Sequence, residues 1–331
     1  MGRRATVILT VAALVLALAG CASGLGGSSS SPDGGNEGWR FYPGPSENDD
    51  RVIVCWGDSL TQGVGADDAL VSLADGEPYD TSYQSYPQVL SQLTGLDTYN
   101  FGVAGATSEE IAIMQGALSP KGAEEPGAAE DSEGETANDD DRETISHIDS
   151  MVIEQGQEHA GDILILEIGS NGGWDEDYQT LIDQYKAMID YSGCEDYLIL
   201  GDTDDPGTSV GDTNQEPFTE DYAPKETDWE SALRESFGDH FINMRVFLIK
   251  HGLQISGLEP TEQDFEDAQR GCISQQLRSD WTHLNARGYF AEAVAVYMRG
   301  IRLGYWNEGE GSIEVPEVQR ECPASTEQSA P

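Results

Sequence analysis

Five short apolar runs alternate with helical patterns along the middle of the chain: Val52–Cys55, Thr98–Phe101, Ile163–Ile168, Tyr197–Leu200 and Phe241–Met244. Runs this continuous suit strands covered on both faces. Between them, Ser85 is placed to cap a helix reaching Leu93, and Ser108, followed by Glu109 and Glu110, opens another that carries Ile111 and Met114. Tyr178, Leu181, Ile182, Tyr185 and Met188 recur at helical spacing within Asp177–Tyr191. Trp229, Leu233 and Phe237 repeat that period, and Asn285–Tyr305 reads as a long final helix. Strand and helix in alternation predict an α/β domain over residues 51–310 with three layers, helices lying on both faces of a mostly parallel sheet of about five strands.

Two stretches break the alternation. Residues 116–144 carry Glu124, Glu125, Glu130, Asp131, Asp139, Asp140 and Asp141 with almost no apolar side chain, the composition of a solvated excursion without a core. Residues 202–227 hold Pro206, Pro217 and Pro224. They leave the end of a strand on the side where open α/β sheets bind ligands, which is the better position from which to shape a pocket. Residues 311–331 are expected to be an irregular tail.

The N-terminus has a different grammar. Arg3 and Arg4 precede the apolar run Ala5–Leu18, which is shorter than the roughly 20 residues a membrane-spanning helix wants. Leu18-Ala19-Gly20-Cys21 resembles a bacterial lipobox, which makes residues 1–20 a signal and Cys21 a lipidation site through which the protein is held at a membrane on the cell surface. Residues 21–50, rich in Gly, Ser, Pro and Asp, read as a flexible tether. Four cysteines then remain, Cys55, Cys194, Cys272 and Cys322, and export permits disulfides among them in three pairings. Cys272 with Cys322 is preferred because Cys55 lies in a strand expected to be buried. No Cys/His spacing suggests a structural zinc site.

Charge narrows the partners. With 61 acidic residues against 17 basic ones the formal net charge is −44. Nucleic acid is excluded as a partner, since phosphate neutralisation requires basic side chains, and polyanions are repelled at long range. The oligomeric state is not legible.

Four stretches carry chemistry. Val52 to Gly63 is an apolar strand ending in Gly57-Asp58-Ser59, so Ser59 stands at a strand-to-helix turn where helical N–H groups face any charge that develops. Asn100-Phe101-Gly102-Val103-Ala104-Gly105 is a second strand running into a glycine turn, where Gly105 can offer its N–H to an oxyanion. The third strand ends in Gly169-Ser170-Asn171-Gly172-Gly173, and Asn171 can offer a side-chain N–H to the same spot. Finally, in Ser279-Asp280-Trp281-Thr282-His283-Leu284-Asn285, an aspartate three residues before a histidine can accept the Nδ1 proton and leave Nε2 to take a serine proton.

In this order the four stretches resemble the sequence blocks of the SGNH hydrolases, also called GDSL esterases and lipases, over Val52 to about Tyr305. The resemblance implies a flavodoxin-like three-layer fold and a triad of Ser59, His283 and Asp280. It also implies an oxyanion hole from the Ser59 and Gly105 N–H groups and the Asn171 side chain, with no metal and no cofactor. The implied activity is ester hydrolysis through an acyl-enzyme on Ser59, acting on small-molecule, lipid or glycan esters; the expected anchoring at a cell wall, rather than the resemblance, favours O-acetyl groups of extracellular glycans. Gly172 departs from the family, many members of which carry aspartate there, and the two insertions leave substrate choice open. An acyltransferase using the same triad, or a binding lipoprotein that keeps the fold without the catalysis, are the alternatives.

Overall fold

The structure is a computed structural model that describes residues 50–66, 70–72, 78–80, 84–120, 147–159, 161–203 and 226–307. At its centre is β1 (Val52–Gly57), whose side chains alternate between two cores: Ile53 and Cys55 enter one, Val54 and Trp56 the other. A strand with apolar residues on both faces has to be covered on both, and this one is. The chain continues through a single helical turn, α1 (Ser59–Gln62), a small antiparallel hairpin of β2 (Leu70–Ser72) and β3 (Pro78–Asp80), and α2 (Tyr86–Thr94). Then follow β4 (Asp97–Gly102), α3 (Ser108–Gln115), α4 (Ser150–Glu158), β5 (Ile163–Glu167), α5 (Tyr178–Ser192), β6 (Asp196–Leu200), α6 (Asp228–Phe237) and β7 (Phe241–Ile242). The C-terminal part holds α7 (Met244–Phe247), a π-helical turn over Leu248–Gly252, α8 (Leu253–Ile255), α9 (Glu262–Gln269) and the long α10 (Ala286–Leu303).

The main sheet is parallel throughout, in the order β4-β1-β5-β6-β7. Counting its strands along the chain, this is 2-1-3-4-5, the flavodoxin-like order. Strand β1 pairs with β4 on one side and β5 on the other, Val54 lying opposite Tyr99 and Leu164. The connections therefore leave the carboxyl ends of β1 and β5 in opposite directions, opening a crevice at the topological switch point. Helices α2 and α10 cover one face through Val89, Leu90, Leu93, Tyr289, Phe290 and Val294. Helices α3, α5 and α6 cover the other through Ile111, Leu181, Tyr185, Leu233 and Phe237.

Several expectations shift in detail. Helix α3 begins at Ser108, but its cap is Thr107, whose hydroxyl accepts the Glu110 N–H while the Glu110 carboxylate reaches back to the Thr107 N–H. The last strand stops at Ile242, short of Met244, because the Asn243 side chain accepts the Val246 N–H and starts α7. The β2/β3 hairpin, α4 and α9 are elements that the periodicity did not disclose. Cys55 is a buried free thiol in β1. Cys322 lies outside the described residues, as do Cys21, the signal, the tether up to residue 49, residues 121–146 of the acidic excursion, residues 204–225 of the second insertion, and the tail. Among the described residues no helix is long and apolar enough to cross a membrane.

Candidate active site

Ser59 owes its position to the two residues before it. A Cβ on Gly57 would lie 2.0 Å from Thr61 Oγ1 and 2.6 Å from the Glu167 carbonyl oxygen, so only glycine lets β1 turn this tightly into α1. Asp58 then caps the turn, its Oδ1 accepting the Leu60 N–H at 3.0 Å. Ser59 is left as the first helical residue at the carboxyl edge of the sheet, 8% exposed, with no protein acceptor for its own N–H among the described residues.

The Gly105 turn is stitched to this serine turn. The Val103 N–H donates to the Gly57 carbonyl at 3.0 Å, and the Ala104 N–H to Gln62 Oε1 at 2.7 Å. Asn100 Nδ2 donates to the Thr61 carbonyl at 2.8 Å. Gly105 itself has φ 80°, a left-handed conformation that disfavours a side chain. The third loop is anchored from the far side: the Gly172 carbonyl accepts both the Ser108 N–H (3.0 Å) and the Ser108 hydroxyl (2.9 Å). Gly172 has φ 79°, which accounts physically for a glycine at this departure from the family pattern. Asn171 is thereby held with Nδ2 3.3 Å from Asp58 Oδ2 and 3.2 Å from the Ala106 carbonyl.

His283 arrives on a loop closed by a bridge between Arg278 and Leu284. The guanidinium of buried Arg278 braces that loop from inside, donating to the Trp281 carbonyl at 2.8 Å and the Thr203 carbonyl at 2.6 Å. Asn285 ends the loop by capping α10 through the Arg287 and Gly288 N–H groups. Within it, Asp280 Oδ1 accepts the backbone N–H groups of Thr282 (2.8 Å) and His283 (2.7 Å), while Oδ2 lies 2.8 Å from His283 Nδ1. His283 Nε2 is 2.9 Å from Ser59 Oγ. Partial burial works against ionisation of Asp280, but the hydrogen bonds from the His283 N–H, its ring and the Thr282 N–H outweigh it and hold the carboxyl below its ordinary value. The fold thus brings Ser59, Asp280 and His283 into one hydrogen-bonded line, with Asn171 and the Gly105 turn beside the serine turn.

The GDSL-like lipase/acylhydrolase family model matches residues 55–291, a span that contains all of these groups. The chain belongs to that family. As an acylhydrolase it is an ester-hydrolysing enzyme. Its fold is similar to that of a protein assigned to the lipolytic G-D-S-L family from Desulfitobacterium hafniense DCB-2, at 13% identity over 75% of this chain and 99% of that one, with a TM-score of 0.39. It is also similar to a carbohydrate esterase family 2 enzyme with a carbohydrate-binding domain from Corynascus thermopiles (14% identity, 80% and 68% coverage, TM-score 0.39). A family two carbohydrate esterase from Clostridium thermocellum is a further neighbour (13% identity, 77% and 64% coverage, TM-score 0.36). No curated protein matches the chain in sequence.

Around the Ser59 turn of this acylhydrolase lie three buried acids whose burial the sequence pattern did not disclose. Burial pushes Asp58 up to about 7, with the Leu60 hydrogen bond opposing and the charge of Asp202 adding to the shift. Glu167, at the end of β5, accepts the Thr61 hydroxyl at 3.0 Å, and Glu292 of α10 is fully buried near it. Desolvation pushes both up, Glu292 to about 8, and the Glu292 charge raises Glu167 further. Glu167 Oε1 and both Glu292 oxygens find no donor elsewhere among the described residues, and a proton held between the two carboxyls pairs one oxygen of each. The only sequence signal was a glutamate closing an apolar strand and another inside an apolar helical face. Among the described residues, no group of three or more His, Cys, Asp or Glu side chains is arranged to hold a metal ion.

Proposed function

We propose that the enzyme is a serine esterase that works through an acyl-enzyme on Ser59. The observation that carries this reading is the unbroken line from Asp280 through His283 to Ser59 Oγ, at 2.8 and 2.9 Å. His283 Nε2 takes the hydroxyl proton as Oγ attacks the ester carbonyl. Asp280 accepts the Nδ1–H hydrogen bond without taking the proton, keeps the ring in the right tautomer and stabilises the imidazolium that forms. The oxyanion meets the N–H groups of Ser59 and Gly105 and the Asn171 amide. The present Asn171 bonds, at 3.2 and 3.3 Å, are long for N–H donors, and trading one for a full negative charge is favourable. Collapse breaks the bond to the alcohol, which leaves with the proton from His283, and water repeats the sequence to release the acid and restore Ser59.

The preferred substrates are uncharged or weakly charged esters, O-acetyl groups of extracellular glycans foremost, because a net charge of −44 repels anionic ones. The lipobox-like stretch supports anchoring at the cell surface through diacylglycerol on Cys21. Cys21→Ser should release the protein from the membrane fraction, and retention of that variant would sink the anchoring reading. Activity is tested with p-nitrophenyl acetate, butyrate and octanoate. Wild type should hydrolyse them in a chain-length order that reports the acyl pocket, and Ser59→Ala should retain almost nothing. Comparable rates in the two proteins would refute the nucleophile. Labelling of Ser59 by a fluorophosphonate separates an esterase or acyltransferase from a binding protein.

A further inference from the structure

The loop that brings His283 to Ser59 also carries an exposed indole. The Ser279 N–H donates to the His283 carbonyl at 3.0 Å and closes residues 279–283 into a tight turn, with Trp281 between Asp280 and His283. The inside of the turn is taken up by buried Arg278, which donates to the Trp281 carbonyl at 2.8 Å and to the Thr282 carbonyl at 3.3 Å. The backbone of Trp281 is thus tied inward, yet the residue is 61% exposed. Met151, Tyr191 and Phe265 are the other large hydrophobic residues exposed among those described, and none of them belongs to the loops that carry the triad. The neighbours of Trp281 in the turn, Ser279, Asp280 and Thr282, are all polar.

We infer that Trp281 is a substrate-contacting, specificity-determining residue whose indole stacks on the apolar face of a pyranose ring in the alcohol part of the ester. This rests on the reading of Ser59 as nucleophile and His283 as its base, and deepens it by naming which side of the ester the loop reads. The side follows from the proton. His283 Nε2, 2.9 Å from Ser59 Oγ, takes the hydroxyl proton and gives it to the departing alcohol, so the alcohol oxygen lies against the His283 ring as the bond breaks while the acyl group stays on Ser59. What extends from that oxygen past His283 comes to the turn on whose exposed surface Trp281 stands. The kind of alcohol follows from the surroundings. An alkyl chain is held by a pocket with apolar walls, and this indole stands among polar residues. A single aromatic plane with a polar rim suits a ring that has a face of C–H groups and hydroxyls around its edge.

The test compares acid release from methyl glucoside acetylated at its primary hydroxyl and from ethyl acetate, which share the acyl group and differ in the alcohol, with Ser59 labelling by a fluorophosphonate run on every protein. Trp281→Ala removes the plane and keeps the carbonyl that Arg278 holds. It should lower kcat/KM for the glucoside ester about tenfold relative to ethyl acetate, the scale of one aromatic contact, mainly through KM. Trp281→Phe, which restores a smaller plane, should recover most of the loss. Trp281→Leu, apolar but without a plane, should lose as much as alanine and stands in for it if the alanine protein does not fold. Equal effects on the two esters, no effect on either, or a wild type that hydrolyses ethyl acetate but not the glucoside ester would overturn the inference and leave Ser59 in place. Wild-type protein that neither labels nor hydrolyses either ester would instead sink the Ser59 reading, and this inference with it.

Discussion

Replacing Glu292 with glutamine should make the enzyme more stable at alkaline pH and change little in mild acid. Glu292 is fully buried on α10 against Glu167, and its carboxyl is raised from 4.5 to about 8 by burial. The sign follows from proton counting. Between those values the native state holds a proton that the unfolded chain has released, so stability falls as pH rises. The contribution is whole below 4.5 and is lost as pH climbs through about 8. At about 1.4 kcal/mol per pH unit the loss approaches 5 kcal/mol, an upper value because the proton is shared with Glu167. Glutamine keeps the size and hydrogen-bonding capacity of the side chain but has nothing to ionise. Urea unfolding of wild type and Glu292→Gln at pH 5, 7 and 9 reads the effect directly. The two stabilities should lie close at pH 5 and separate by several kcal/mol at pH 9, with the variant ahead. The many surface carboxylates are common to both proteins and cancel in the difference. Parallel pH curves would mean that Glu292 ionises without cost in the folded state, and the account of a shared buried proton would fail.

Three further outcomes follow from the geometry. Asn171→Ala should cut kcat by about 10²- to 10³-fold with fluorophosphonate labelling of Ser59 slowed but present, because the proposed oxyanion hole loses one of its three donors while the proposed nucleophile stays; steady-state kinetics on p-nitrophenyl acetate checks this. Gly105→Ala should abolish most activity, since alanine resists φ 80° and its methyl would press on the His147 ring at 2.9 Å, and pairing it with His147→Ala should relieve the second problem but not the first. Arg245→Ala should cost about 3–5 kcal/mol in a denaturant melt, because it leaves Glu230, which now accepts two Arg245 bonds at 2.7 Å, buried without its cation. A loss below 1 kcal/mol would show that water reaches Glu230.

What the chain reveals on its own is what local rules govern. Strand β1 was legible because six consecutive residues are almost all apolar, and α5 because Leu181, Ile182, Tyr185 and Met188 return every helical turn. The serine turn, the Gly105 turn and the Asp280–His283 spacing were legible for the same reason: each is a contact or backbone shape made within a few residues. Asn171 was legible as a loop residue but not as a partner of Asp58, which lies far away in sequence and meets it only because β1 and β5 are neighbours at the switch point. The same holds for Glu167 with Glu292, for Arg245 with Glu230, and for His147 over Gly105. Each joins elements whose proximity is set by strand order and helix packing. A glutamate in a sequence looks like any other until packing removes its water, and the strand that Asn243 cuts short at Ile242 is decided by a cap competing with a ladder at the sheet edge. Local periodicity therefore determined the elements and the four chemical stretches, while the order of the parallel strands decided which side chains share a site and which acids lose their solvent.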